Sequence, residues 1–243
     1  MPPPISPYRR INPEKIIETA KRLQARVQER FPDRGITQVI QEVVAVSATC
    51  AQKADWISRP ILPLRMAVSG VTIILLVLAF GVIGAIAGKV RVQIPDLAGL
   101  LAMVEAGIND VILISAALYF LWSIEGRWKR KRALADLNEL RAIAHIIDLH
   151  QLTKDPERLV HKKLLIGLDT QSSPERELDE FALSRYLDYC SEMLSLLSKI
   201  AALYPQHNDD PVVLAAVDEI ETLTAGLSRK IWQKIMILNF NTR

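Results

Sequence analysis

The sequence predicts an all-α chain: a two-helix transmembrane hairpin with N- and C-terminal cytosolic helices, the C-terminal part ending in an antiparallel helical hairpin. Three observations predict it. Residues 66–87 run without a single charge and are rich in Val, Ile and Leu. Elsewhere apolar residues recur at alternating four- and three-residue steps, the period of a helix stripe. No window keeps the period of two that a strand would show.

The bulk composition agrees. Half of the 243 residues are apolar but only 6% are aromatic, and 23% are charged. Mean hydropathy is nevertheless positive, so the apolar residues must be clustered. A net charge of +3 is too small for a dedicated nucleic-acid binder. Cys50 and Cys190, the only cysteines, lie inside helical patterns with no metal-ligand spacing. They read as small apolar packing residues in a reducing compartment.

Residues 1–12 begin Met-Pro-Pro-Pro-Ile-Ser-Pro-Tyr-Arg-Arg, with no apolar core after the arginines. They read as a disordered, proline-stiffened tail and not as a cleavable secretion signal. Residues 13–59 hold the N-terminal cytosolic helices. Asn12-Pro13-Glu14 supplies a capping side chain, a proline at the first helical position and an acid in the first turn. Ile16, Ala20, Leu23 and Val27 form the stripe, and Phe31-Pro32-Asp33-Arg34-Gly35 ends it. From Ile36 a seam follows, with Val43, Cys50 and Ile57 at heptad positions and Val39 and Val46 between them.

Residues 60–125 form the hairpin. A helix over 66–87 reaches about 33 Å, enough for a hydrocarbon layer of roughly 30 Å. The second span, 106–124, ends in Tyr119, Phe120 and Trp122, placed as interfacial anchors. The connection, 88–96, is too short for a domain, so the spans run antiparallel. Residues 96–105 either extend the second span or lie in the interface. Arg59 and Arg65 flank one open end and Arg127, Lys129, Arg130, Lys131 and Arg132 the other, against Lys89 and Arg91 in the connection. The positive-inside rule then puts both termini in the cytosol, in a plasma (inner) membrane. The run at 127–132 is expected to hold anionic lipid headgroups.

Residues 126–243 form the C-terminal cytosolic domain. Ala133, Leu137, Leu140, Ala144 and Ile147 continue from the second span with no breaker, which predicts one long helix. Asp155-Pro156-Glu157 and Ser173-Pro174-Glu175 repeat the cap–proline–acid signal, with a short helix and a loop between them. Leu183, Leu187, Cys190, Leu194, Leu197, Ala201 and Tyr204 form the next stripe. After the turn 205–211, Val213, Val217, Ile220, Thr224, Leu227 and Ile231 form the last. A short turn between two such helices predicts an antiparallel pair.

Two groups are candidates to carry chemistry. Glu105, Asn109 and Asp110 lie near the start of the second span, Asp110 turned by about 140° from Glu105. In an oligomer, one acid per subunit would form a cation-concentrating ring; at the outer headgroup level the same carboxylates are unremarkable in cost. Asn138, Arg141, His145 and Asp148 form a polar stripe. His145 and Asp148 would be two ligands of a metal that His161 would have to complete, or else part of a solvated, salt-bridged face. The layout resembles two-helix cation channels in architecture alone: the Trp-Asp-x-x-Glu-Pro signature of the mitochondrial calcium uniporter and the Gly-Met-Asn of CorA-type magnesium channels are absent.

No Gly-rich phosphate loop, Gly-x-Ser-x-Gly, His-Glu-x-x-His or Cys-x-x-Cys occurs. The expectation is a non-enzymatic, cofactor-free membrane protein whose partners are the bilayer and, through the seams 36–57 and 183–204, further copies of itself or another protein. The alternative is an oligomeric cation channel.

Overall fold

The computed structural model describes residues 10–89, 97–156, 159, 178–206 and 209–240. All regular elements among them are helices: α1 (Pro13–Arg30), α2 (Gly35–Ser58), α3 (Leu62–Lys89), α4 (Leu97–Leu152), α5 (Glu180–Ala201) and α6 (Pro211–Phe240). Local chemistry sets their ends. Asn12 accepts from the backbone N–H groups of Glu14 and Lys15 at 2.8 and 3.4 Å, satisfying donors that a helix start leaves open. Asp179 accepts from Ala182 N–H at 2.6 Å. Asp210 does the same for Val212 and Val213. The connection 88–96, the short helix and loop after Pro156, the Ser173-Pro174-Glu175 signal and His161 fall largely or wholly outside the described residues.

The chain divides into two compact units: Met1–Ser58 with Arg132–Arg243, and Arg59–Lys131. The N-terminal and C-terminal helices, read from the sequence as separate segments, are therefore one unit. Of the stretch 1–12, the described residue Ile11 is tied to this unit. Ile11 exchanges two backbone hydrogen bonds with the Gln206 side chain, at 3.2 and 3.4 Å.

Residue pairs give the direction of each helix in the first unit. Lys53 meets Asp136 and Gly35 meets His150, so α2 runs against α4. Tyr204 meets Asp136 and Tyr186 meets His150, so α5 also opposes α4. Arg141 pairs with Glu219 and Lys234 donates to Gln151 O at 2.8 Å, so α6 runs with α4 and against α5. Arg26 binds Glu192 while Phe31 packs edge-on against Tyr186 at 5.6 Å, so α1 opposes α5. The unit is an up-and-down helical bundle. At its junction end lie the close of α2 and the Arg132 turn of α4; at its distal end lie the α1–α2 turn and the close of α4.

Every apolar seam position named from the sequence is buried here, from Ile16 and Val27 to Cys50, Ile147, Tyr204 and Ile231. Each fully buried Leu or Ile contributes roughly 1.5–3 kcal/mol, so the stripes are the main stabilising term. It also means that the seams 36–57 and 183–204 are filled within the chain.

The second unit is the reverse. Two helical stretches, Gly35–Leu78 and Glu105–Leu152, each contain an 18-residue window long and apolar enough to cross a membrane, and none of either window is buried. Phe80 is 70% exposed and Leu113 68%. A core helix of a water-soluble protein would bury such side chains. α4 is helical without a break from Leu97, so residues 97–105 continue into the second apolar stretch.

Candidate functional site

At the junction end of the first unit, the stripe of α4 carries one charge. Asp136 lies three residues after Ala133 and four before Leu140, on the face that packs inward, and is 5% exposed. Lys53 occupies the matching place on α2, between Cys50 and Ile57. Its Nζ donates to Asp136 Oδ1 at 2.5 Å, and Tyr204 Oη donates to Oδ2 at 3.0 Å. The carboxylate is thus held by an ammonium and a phenol, as a buried acid requires.

The same contacts decide the protonation of their neighbours. The hydrogen bond to Asp136 raises the Lys53 ammonium above its usual pKa. Burial is the first cause that pushes the Tyr204 phenol far up, with Cys50 and Asp136 next. Burial also pushes the Cys50 thiol up to about 11. The cluster therefore offers no thiolate or phenolate nucleophile near neutral pH. Beside it opens a cavity of about 550 Å³ walled by Gln52, Trp56, Ile57, Arg132 and Ala135. The Arg132 guanidinium lies 4.6 Å from the Trp56 ring centre, a cation–π contact.

A second cluster belongs to the Arg59–Lys131 unit. Glu125 accepts from Arg65 Nε at 2.8 Å, from Lys129 Nζ at 2.8 Å and from Ile61 N–H at 3.3 Å. These bonds tie the start of α3 to residues 121–129 of α4. Lys129 also donates to Arg59 O at 2.7 Å and is only 15% exposed. It is engaged inside the unit. Arg127 lies 4.2 Å over the Phe120 ring, and Arg127, Lys131 and Arg132 are exposed while Arg130 is half-buried.

Glu105, Asn109 and Asp110 are all exposed on α4. His145 is exposed, whereas Asp148 is half-buried and accepts from Gln151 Nε2 at 2.6 Å. Asn138 is exposed, and Arg141 is ion-paired to Glu219 of α6. Within this stripe Arg141 is the member whose ion pair reaches another helix. Among the described residues no three His, Cys, Asp or Glu side chains gather as a metal set. Cys50 and Cys190 are free and buried, with the Cys190 thiol pushed up to about 12 by burial.

The sequence reading passed over Asp136, Lys53 and Glu125. The signal for the first two was present: an acid and a base at seam spacing on separate helices, each too costly to bury alone. For Glu125 there were Arg65, just before the first apolar run, and Lys129, one turn further along the helix of the second. No family model matches the chain, and no curated protein or solved structure is similar to it.

Proposed function

We propose that the chain is a non-enzymatic, two-pass membrane protein whose first unit, cytosolic with both termini, acts as a scaffold or signal-transmitting element. One observation carries this reading: both apolar windows are wholly exposed, while the stripes of the first unit are completely buried. Lipid is the solvent that makes both stable at once. The orientation rests on the basic residues at the open ends of the hairpin. With the seams 36–57 and 183–204 occupied within the chain, self-assembly falls to the exposed faces of the two apolar helices. Because α4 belongs to both units, it is the natural carrier of a signal.

Membrane fractionation with alkaline carbonate tests the insertion, and labelling tests the sidedness. In intact cells, Gln93→Cys is expected to react with an impermeant maleimide and Thr242→Cys to react only after lysis. Extraction by carbonate, or the opposite labelling, removes the proposal.

The cation-channel reading is favoured by the exposure of Glu105, Asn109 and Asp110. Ion flux in liposomes, compared between wild type and Glu105→Gln with Asp110→Asn, decides it. Equal and negligible flux from both proteins eliminates the channel, as does a monomer in nanodiscs.

A further inference from the structure

The distal end of the first unit holds a cavity of about 640 Å³, within the range of small-molecule sites. Four helices and the turns that follow two of them build it. The last residue of α1 is Arg30, the α1–α2 turn gives Arg34, α2 begins there at Gly35, the close of α4 gives His150 with Lys154 just beyond it, and α5 gives Tyr186. Among the described residues three basic side chains and an imidazole thus line one hollow, together with Asp33. Arg30 also faces the Phe181 ring at 5.3 Å and Lys154 the Tyr186 ring at 5.8 Å. These aromatic contacts hold Arg30 and Lys154 against ring faces.

The backbone adds to the same field. α2 starts at Gly35, on the cavity wall, with no acid in its first turn, so the positive end of its dipole points at the hollow uncompensated from within that turn. A Cβ at Gly35 would stand 2.6 Å from His150 Cε1. Glycine is therefore what lets the imidazole lie against the helix start, bringing side-chain and backbone donors to one point.

We propose that this cavity binds a phosphate-bearing small molecule, in size between a sugar phosphate and a nucleotide. Guanidinium forks and an ammonium around a concave, positive site match the charge and the acceptor geometry of a phosphate group. A soluble phosphate and a lipid headgroup present the same chemistry, and separate titrations distinguish the two sources.

Calorimetric titration of the full chain in detergent, with inorganic phosphate, ATP and short-chain phosphatidate in separate runs, tests the site. ATP is expected to bind saturably at one site per chain. Affinity falls at least tenfold in Arg34→Gln with Lys154→Gln and in Lys154→Gln alone shows a smaller loss. Arg22→Gln, on the exposed side of α1, leaves it unchanged. Binding of phosphatidate alone, lost in the same variants, keeps the phosphate site and assigns its source to a lipid. No saturable heat with any of the three, or equal affinity in wild type and double variant of unchanged helicity, overturns the proposal.

Discussion

Tyr204 donates its hydroxyl to Asp136 Oδ2 at 3.0 Å, while Lys53 holds the other oxygen of the same carboxylate. Two helices and the turn after a third, far apart in sequence, therefore meet on one buried acid. A helix bundle held only by apolar stripes can slide by a turn at modest cost. This triad gives α2, α4 and the end of α5 one register, because any shift strands a charge or a phenol.

Removing either partner of the ion pair is expected to destabilise the first unit. Asp136→Asn should cost about 1–3 kcal/mol through weakened bonds to Tyr204 and Lys53. Lys53→Met should cost about 2–3 kcal/mol, at the lower end for a buried pair, because the lysine side chain is 44% exposed and water screens part of the interaction. The double variant should cost less than the two singles together, by about 1 kcal/mol or more. Thermal melts followed by circular dichroism measure all three, and strict additivity would show that the pair is not coupled.

Gly35→Ala should change sign with its neighbour. Alanine ordinarily stabilises a compatible helical glycine site by about 0.4–1 kcal/mol. Here its Cβ meets His150 Cε1 at 2.6 Å, so the imidazole must move and the benefit is lost. In a His150→Ala background the same substitution should regain it. Equal melting shifts in the two backgrounds would contradict the packing described.

Acidification should expose His150. Burial first, and then Lys154, lower its pKa below the ordinary 6.5; Arg30, Arg34 and Asp33 face the same cavity. With a depressed folded-state value, the unfolded chain binds more protons between that value and 6.5. Stability then rises with pH through this window, is complete above it, and declines as pH falls across it. The wild-type melting temperature should drop more steeply between pH 7 and 5 than that of His150→Gln. Parallel curves would mean that the histidine does not titrate differently on folding.

Both thiols should be silent in the native protein. The Cys50 thiol sits at about 11 and that of Cys190 at about 12 through burial, so thiolate is scarce and access is closed. Iodoacetamide at pH 7.5 is expected to label neither until denaturant is added, and then both. Rapid native labelling at Cys190, followed by mass spectrometry, would indicate that the α5 core opens.

Much of the fold was legible because helical periodicity is a local property. Asn12-Pro13-Glu14 specified a helix start that the structure repeats, and Leu183, Cys190, Leu197 and Tyr204 all fall inside. The α5 start was less legible, since its cap at Asp179 carries no proline after it. The polar cluster was legible only in part. Asp136 on an apolar face announces a buried partner, yet spacing alone does not say whether Lys53 or another cation provides it.

The sequence by itself determined two long apolar helices, the stripes of every other helix and the ends of most of them, since each depends on residues within a turn or two. Only the tertiary structure decided that the stripes consume one another, that α4 faces α2, α5 and α6 in a single unit, and that Arg34, His150 and Lys154 share one hollow. The physical reason is that an apolar stripe specifies burial without specifying a partner. The choice of partner comes from non-local packing and from the few polar groups, such as Asp136, that tolerate only one.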